Sequence, residues 1–207
     1  MKSIFFDTET TGLKPGQIGQ LTYIVEEDNE FVEAKNFFFT VDMMEPSAEK
    51  VHGFSMEFLE ELSGGKRMGD SIEEIKRDFE NAILIAHNVN FDLKFLQAEF
   101  ERLGIPLNIK RTFCTMNYFK DITEIPARTG EGFKNPKLEE VVNHYVIDRE
   151  NIMNATKKLY DCEEVSYHDA RYDTTAMYVC CLISRERFEV YDLLEDDGED
   201  IDQMSLF

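Results

Sequence analysis

The stretch Ile4-Phe5-Phe6-Asp7-Thr8-Glu9-Thr10-Thr11-Gly12-Leu13 constrains this chain more than any other. Three apolar residues run into two acids placed one residue apart. In a strand, side chains two positions apart share a face, so Asp7 and Glu9 point the same way. Two carboxylates aimed at one spot repel unless a cation sits between them. An apolar strand ending in Asp-x-Glu therefore reads in two ways. It is half of a Mg²⁺ or Mn²⁺ site, since hard divalent ions take oxygen ligands, or it is a strand that ends at a solvated turn. Acids and histidines further along the chain decide between them.

The order of elements points to an α/β domain. After the Gly12, Pro15 and Gly16 turns, residues Ile18 to Val25 and Phe31 to Val41 carry the aromatic and β-branched pattern of strands, joined at Glu27-Asp28-Asn29. A turn is expected at Glu45-Pro46-Ser47, then a short helix from Met56 to Leu62 closed by Gly64-Gly65. Ser71 with Glu74 forms a capping-box pattern that opens a helix over Ile72 to Glu80. Ile83 to Ala86 is wholly apolar and reads as a buried strand stopping at His87-Asn88. Asn90 is the expected cap of the next helix, whose Leu93, Leu96, Phe100 and Leu103 fall at helical spacing before Gly104. Asp92 then lies just beyond a strand end, where ligands bind in α/β sheets. Further on, a strand over Ile109 to Cys114 and helices over Met116 to Asp121, Leu138 to Tyr145, Arg149 to Tyr160 and Tyr172 to Arg187 complete the pattern. The loop 126–137 is locally basic and reads either as a solvated connection or as a clamp on a strand.

Composition narrows the class. The 207 residues suit one domain with a short appendage, expected as a domain over 1–194 and an acidic tail over 195–207 that cannot bury apolar surface and should be disordered. No window approaches a membrane span and the start lacks a signal peptide, so a cytoplasmic protein is expected. Cys114, Cys162, Cys180 and Cys181 show no zinc or disulfide spacing. The net charge of −20 opposes binding to phosphate backbones, which favours basic faces. A nuclease of this charge would hold a strand end at a metal site with few backbone contacts, and would depend on delivery by something else.

Phe6-Asp7-Thr8-Glu9-Thr10-Thr11-Gly12-Leu13, His87-Asn88-Val89-Asn90-Phe91-Asp92 and Tyr167-His168-Asp169-Ala170-Arg171-Tyr172-Asp173 stand in that order. Together they resemble the three motifs of the DnaQ-like DEDDh 3′–5′ exonucleases, over roughly residues 1–190, including the proofreading exonucleases of bacterial replicative polymerases. The resemblance implies a ribonuclease-H-like fold, a mixed five-stranded sheet with its first three strands antiparallel, flanked by helices. It implies that Asp7, Glu9, Asp92 and Asp173 are carboxylate ligands of two Mg²⁺ or Mn²⁺ ions, with Asp7 shared by both. It makes His168 the general base, and by motif position Asp169 is not a ligand. Hydrolysis of a phosphodiester needs an attacking hydroxide and a leaving alkoxide stabilised together, which two ions ~3.5–4 Å apart accomplish. Imidazole titrates near working pH and suits the proton transfer. The long loop 126–137 and the helix Arg149 to Tyr160 depart from the compact pattern of the replicative proofreading exonucleases, which leaves the exact partner open.

Substrate contacts are expected from Thr8, Thr10, His52, Phe54, Asn88 and Phe91, with Phe54 and Phe91 either stacking on bases or belonging to the core. The last residues, Gln203-Met204-Ser205-Leu206-Phe207, resemble the short peptide with which bacterial replication and repair proteins enter the sliding clamp. Two apolar side chains at the end of an acidic tail suit a docking peptide, and tethering would offset the adverse charge through a high effective concentration. The expected activity is release of nucleoside 5′-monophosphates from single-stranded or frayed 3′ ends of DNA, in proofreading or repair, beside a DNA polymerase. The alternatives are an RNA 3′ exonuclease of the oligoribonuclease or tRNA-trimming kind, and a clamp-bound adaptor without catalysis.

Overall fold

Ile4, Phe5 and Phe6 are each fully buried, so the first strand is covered on both faces and must lie inside the sheet. The computed structural model describes residues 1–166 and 168–186 and places that strand, β1 (Lys2–Thr10), at the centre of five. It pairs antiparallel with β2 (Ile18–Glu27), which pairs antiparallel with β3 (Glu30–Phe38). On its other side β1 pairs parallel with β4 (Ile83–Ala86), and β4 pairs parallel with β5 (Arg111–Cys114). The order β3-β2-β1-β4-β5 is the mixed sheet that the sequence leads one to expect.

Helices cover both faces. Ile4 and Phe6 face one layer with α3 (Met68–Phe79) and α4 (Val89–Arg102), where Met68, Ile72, Ile75, Phe79, Phe95, Leu96 and Phe100 complete one core. Phe5 faces the opposite layer with α8 (Ala170–Ser184), against which α6 (Leu138–His144) and α7 (Arg149–Tyr160) pack to form a second core. The remaining helices are α1 (Pro46–His52), α2 (Met56–Ser63) and α5 (Thr115–Thr123). Among the described residues no helix is long and apolar enough to cross a membrane.

Several boundaries differ from the sequence reading. Residues 46–52 form α1 rather than a turn, because Pro46 occupies the first helical turn, where its missing N–H costs nothing. Helix α3 begins a turn earlier than the Ser71 cap, at Met68, since the backbone N–H of Arg67 donates to Asp70 Oδ2 at 2.8 Å and Met68 adds one more apolar contact. Asn88, not Asn90, precedes α4, in a left-handed conformation that Asn tolerates (φ 76°). Strand β3 ends at Phe38, although the Phe39 N–H still donates to the Gly19 carbonyl at 2.8 Å. Helix α8 starts at Ala170 and ends at Ser184, ahead of the Arg187 expected. The expectations for the acidic tail, and for Gln203, Met204, Ser205, Leu206 and Phe207, lie outside the described residues.

Candidate active site

Strand alternation puts Asp7 and Glu9 on the face that Phe5 shares, the face covered by α8. Asp173 stands in the first turn of α8, four residues past its cap at Asp169. One carboxylate oxygen from each of Asp7, Glu9 and Asp173 lies within 4.8 Å of the others, and all three residues are half-buried. Sequence positions as far apart as 7 and 173 thus meet at the carboxyl end of β1. Asp92 falls outside this tight group. It sits in the first turn of α4, is buried, and accepts a hydrogen bond from the Thr8 hydroxyl at 2.8 Å. Thr8 points to the α4 side of β1 while Asp7 and Glu9 point to the α8 side, so the acids approach the strand end from both layers.

The electrostatics follow from this crowding. Burial, then the charges of Asp92, Asp173 and Glu9, holds the Asp7 carboxyl well above the usual carboxylate range. Burial, then Asp173, Asp169 and Asp92, raises Glu9 likewise. Burial pushes Asp92 up to about 7 despite the opposing hydrogen bonds from Thr8. Asp173 is pushed up to about 6 by burial, against the nearby charge of His168. Among the described residues no lysine or arginine forms an ion pair with Asp7, Glu9 or Asp173. Oxygen donors brought together without a lysine or arginine to pair them fit a hard divalent cation, which would favour their ionised forms. His168 is exposed, with φ 61°, and lines a cavity of about 280 Å³ with Asp173, Tyr172, Arg149 and Glu139.

On the other side of Glu9 a second cavity, of about 300 Å³, is lined by Thr8, Thr10, His52 and Phe91 together with Leu13 and Val51. Four of the six expected substrate contacts are therefore gathered at one groove. His52 is fixed there: the Phe54 N–H donates to its Nδ1 at 3.0 Å, so Nε2 carries the proton directed at the Thr10 carbonyl, 3.3 Å away. Burial lowers its pKa, in keeping with a neutral ring. Gly12 forms the lip, where a Cβ would come within 2.5 Å of the Glu45 carboxyl carbon. Phe91 serves both readings, since it lines the groove and packs against the core at 5.1 Å from Phe95. Phe54 and Asn88 are placed elsewhere. Phe54 is buried with Val41 and Leu59 beneath His52, and Asn88 is exposed at the turn before α4. The residues that sequence reasoning missed are the apolar rim, Leu13 and Val51, and the buried amide Gln20 beside Glu9. Exposed apolar residues carry no distinctive pattern. Gln20 is an amide between apolar neighbours in β2, Ile18 and Leu21, and that was a usable sign.

Residues 4–179 match the exonuclease (RNase_T) family. The chain belongs to that family. It is 35% identical over 108 residues to DNA polymerase III subunit epsilon of Rickettsia felis, a match covering 50% of this chain and 46% of that protein. To the same subunit of Buchnera aphidicola it is 30% identical over 158 residues, covering 72% of this chain and 63% of the relative. The chain thus spans about half the length of the Rickettsia relatives. Among solved structures, it aligns with exonuclease X in complex with 5′ overhanging duplex DNA at TM-score 0.58 and 16% identity, covering 93% of this chain and 99% of that one. It aligns with E. coli exonuclease I in complex with a 5cy-dT13 oligonucleotide at TM-score 0.68 and 16% identity, covering 92% of this chain and 42% of that one. The fold is the ribonuclease-H-like α/β fold of these exonucleases, as the sequence led us to expect.

Proposed function

We propose that this chain is a divalent-metal-dependent 3′–5′ exonuclease acting on single-stranded or frayed DNA ends. The observation that carries the reading is the convergence of one carboxylate oxygen each from Asp7, Glu9 and Asp173 within 4.8 Å. Asp92, oriented by Thr8, would serve as the fourth ligand. Two Mg²⁺ or Mn²⁺ ions bound there would supply charge stabilisation for the attacking and leaving oxygens of an in-line displacement. His168, exposed beside Asp173, accepts at its ring nitrogen the proton of the hydrolytic water. The groove on the far side of Glu9 receives the terminal nucleoside. Its Leu13, Val51 and Phe91 surfaces offer apolar contact to a base, and His52 braces the Thr10 backbone beneath it. Cleavage at the bond between the groove and the acids releases a nucleoside 5′-monophosphate.

DNA is favoured over RNA because the relatives are named as DNA polymerase III subunits and the aligned exonucleases are described with DNA. A direct polymerase partner is proposed on the same ground, and a sliding-clamp tether on the Gln203–Phe207 sequence. The adaptor alternative is disfavoured by the presence of all five motif residues, of which an idle relative would have no need. The test is digestion of matched 5′-labelled DNA and RNA oligonucleotides with Mn²⁺ or with EDTA, using wild type and Asp7→Ala. A Mn²⁺-dependent ladder shortening from the 3′ end of DNA, absent in Asp7→Ala, supports the proposal. A strong RNA preference replaces the substrate, and unchanged digestion by Asp7→Ala removes the site. Deleting residues 203–207 should spare short-oligonucleotide cleavage and abolish association with the clamp.

A further inference from the structure

Gln20 lies on β2 directly opposite Glu9 in the sheet register and is completely buried. A buried amide carries two donor hydrogens and an acceptor oxygen that must find partners, and here their directions are informative. Its Nε2 donates to Asn36 Oδ1 at 2.8 Å and to Asp169 Oδ1 at 2.9 Å, while its Oε1 accepts from the Ala170 N–H at 3.1 Å. The opposite amide orientation would set N–H against N–H at Ala170, so the partners fix one arrangement.

Asp169 is also buried, and it is held on every side. Its Oδ1 accepts from the backbone N–H and the Nε of Arg171, each at 2.9 Å, and its Oδ2 accepts from Arg171 Nη2 at 2.6 Å. Arg171 in turn lies 5.5 Å from the centroid of Phe38, the β3 residue opposite Gln20 in register. The cap of α8 is therefore complete without Gln20, through the bond from the Arg171 N–H. What the amide adds is a lateral tie between the first turn of α8 and the strand that borders Glu9. On one side of this clamp is His168, whose left-handed backbone is sparsely populated for residues other than glycine. On the other, four residues along α8, is Asp173.

We infer that Gln20 is a positioning residue, which through Asp169 sets where His168 stands relative to Asp7 and Glu9. This rests on the exonuclease reading above. The side chain touches neither the groove lining nor the three converging carboxylates by hydrogen bond, so its effect falls on turnover rather than on binding of the strand end.

The experiment compares wild type, Gln20→Met, His168→Ala and the double variant in Mn²⁺-dependent digestion of a DNA oligonucleotide. Methionine keeps the buried volume and removes both hydrogen-bonding ends. Gln20→Met should lower kcat by roughly 10- to 100-fold, the scale expected for a misplaced catalytic group, with KM unchanged. In the His168→Ala background the same substitution should change the residual rate by no more than about twofold, because the group it positions is already gone. An unchanged kcat in Gln20→Met overturns the inference, and so does an equal loss with and without His168. If Gln20→Met does not melt cooperatively, Gln20→Glu is read in the same cycle. It keeps the acceptor for Ala170 and replaces the donor facing Asp169 with a like charge. Wild-type protein with no divalent-dependent digestion overturns the exonuclease reading and this inference together, whereas active wild type with indifferent Gln20 variants overturns the inference alone.

Discussion

Thr8 and Asp92 meet across the edge of β1, hydroxyl to carboxylate at 2.8 Å, and this bond joins the α4 layer to the strand that carries Asp7 and Glu9. The hydroxyl favours the ionised form of Asp92, which burial otherwise opposes. Thr8→Val keeps the β-branched shape and removes the donor. A lost hydrogen bond to a charged group costs roughly 1.5–3 kcal/mol, so Mn²⁺ affinity measured by calorimetry should fall about tenfold or more. Unchanged affinity would show that Asp92 needs no help from β1.

The converging acids oppose each other in the absence of ions, so removing one has two effects of opposite sign. Asp7→Asn should lower Mn²⁺-dependent cleavage by on the order of 10²–10³-fold or more, as loss of a transition-state electrostatic element does. In EDTA the same variant should melt at a higher temperature than wild type, because a buried like-charge contact with Glu9, Asp92 and Asp173 is gone. A variant that loses both activity and stability would mark Asp7 as structural.

Raised carboxyl groups also dictate a pH dependence. Asp92, at about 7, and Asp173, at about 6, keep protons in the folded protein that the unfolded chain releases near the ordinary carboxylate value of about 4. Their contribution to stability is full below about pH 4 and declines as pH rises toward about 7. Asp78 works in the opposite sense. Burial alone would raise it, but hydrogen bonds from Lys35 and Tyr23 overcome that and lower it, so its contribution is lost only as pH falls below the ordinary carboxylate range. Melting in EDTA should therefore show a temperature that falls from about pH 5 to about pH 8, with added Mn²⁺ restoring most at the upper end, where protons no longer compete. Asp92→Asn should flatten the EDTA curve. A wild-type curve that rises over this interval would contradict the crowding of the acids.

Much of this arrangement could be read from residue order, and the parts that could not have physical reasons. The apolar run into Asp7 and Glu9 places the central strand, since only a strand covered on both faces buries Ile4, Phe5 and Phe6 together. The 12-residue helix Arg149–Tyr160 shows in its periodicity because its apolar face is regular. Helix α1 escaped because Pro46 signals both a turn and a first helical residue, and only Val51 and His52 packing over the groove tells them apart. Phe54 escaped because an aromatic beside a motif histidine looks the same whether it faces a base or lies beneath the ring it supports. The tight three-acid group, with Asp92 beside it rather than within it, depends on how far α4 stands from α8, a distance that no spacing along the chain encodes.

The acidic charge balance bears on how a nucleic acid strand is held. Among the described residues the groove lining beside Glu9 contains no lysine or arginine, and on the His168 side the lining includes Arg149, which forms an ion pair with Glu139. In the loop 126–137, Lys134 pairs with Glu140, so one of the loop's three cations, Arg128, Lys134 and Lys137, is committed within the protein. Few phosphates can then be neutralised by side chains. For single strands the slope of log K against log salt is about −0.7 per phosphate neutralised, so contacts to one or two phosphates give a slope no steeper than about −1.5. Binding of a short DNA oligonucleotide by His168→Ala protein in Mn²⁺, followed by fluorescence anisotropy across a salt series, should show this shallow dependence. Arg128→Glu should leave it nearly unchanged. A slope steeper than about −3 would require a basic track of four or more phosphates. Loss of that steepness in Arg128→Glu would assign the track to the loop and make it a clamp on the strand rather than a solvated connection.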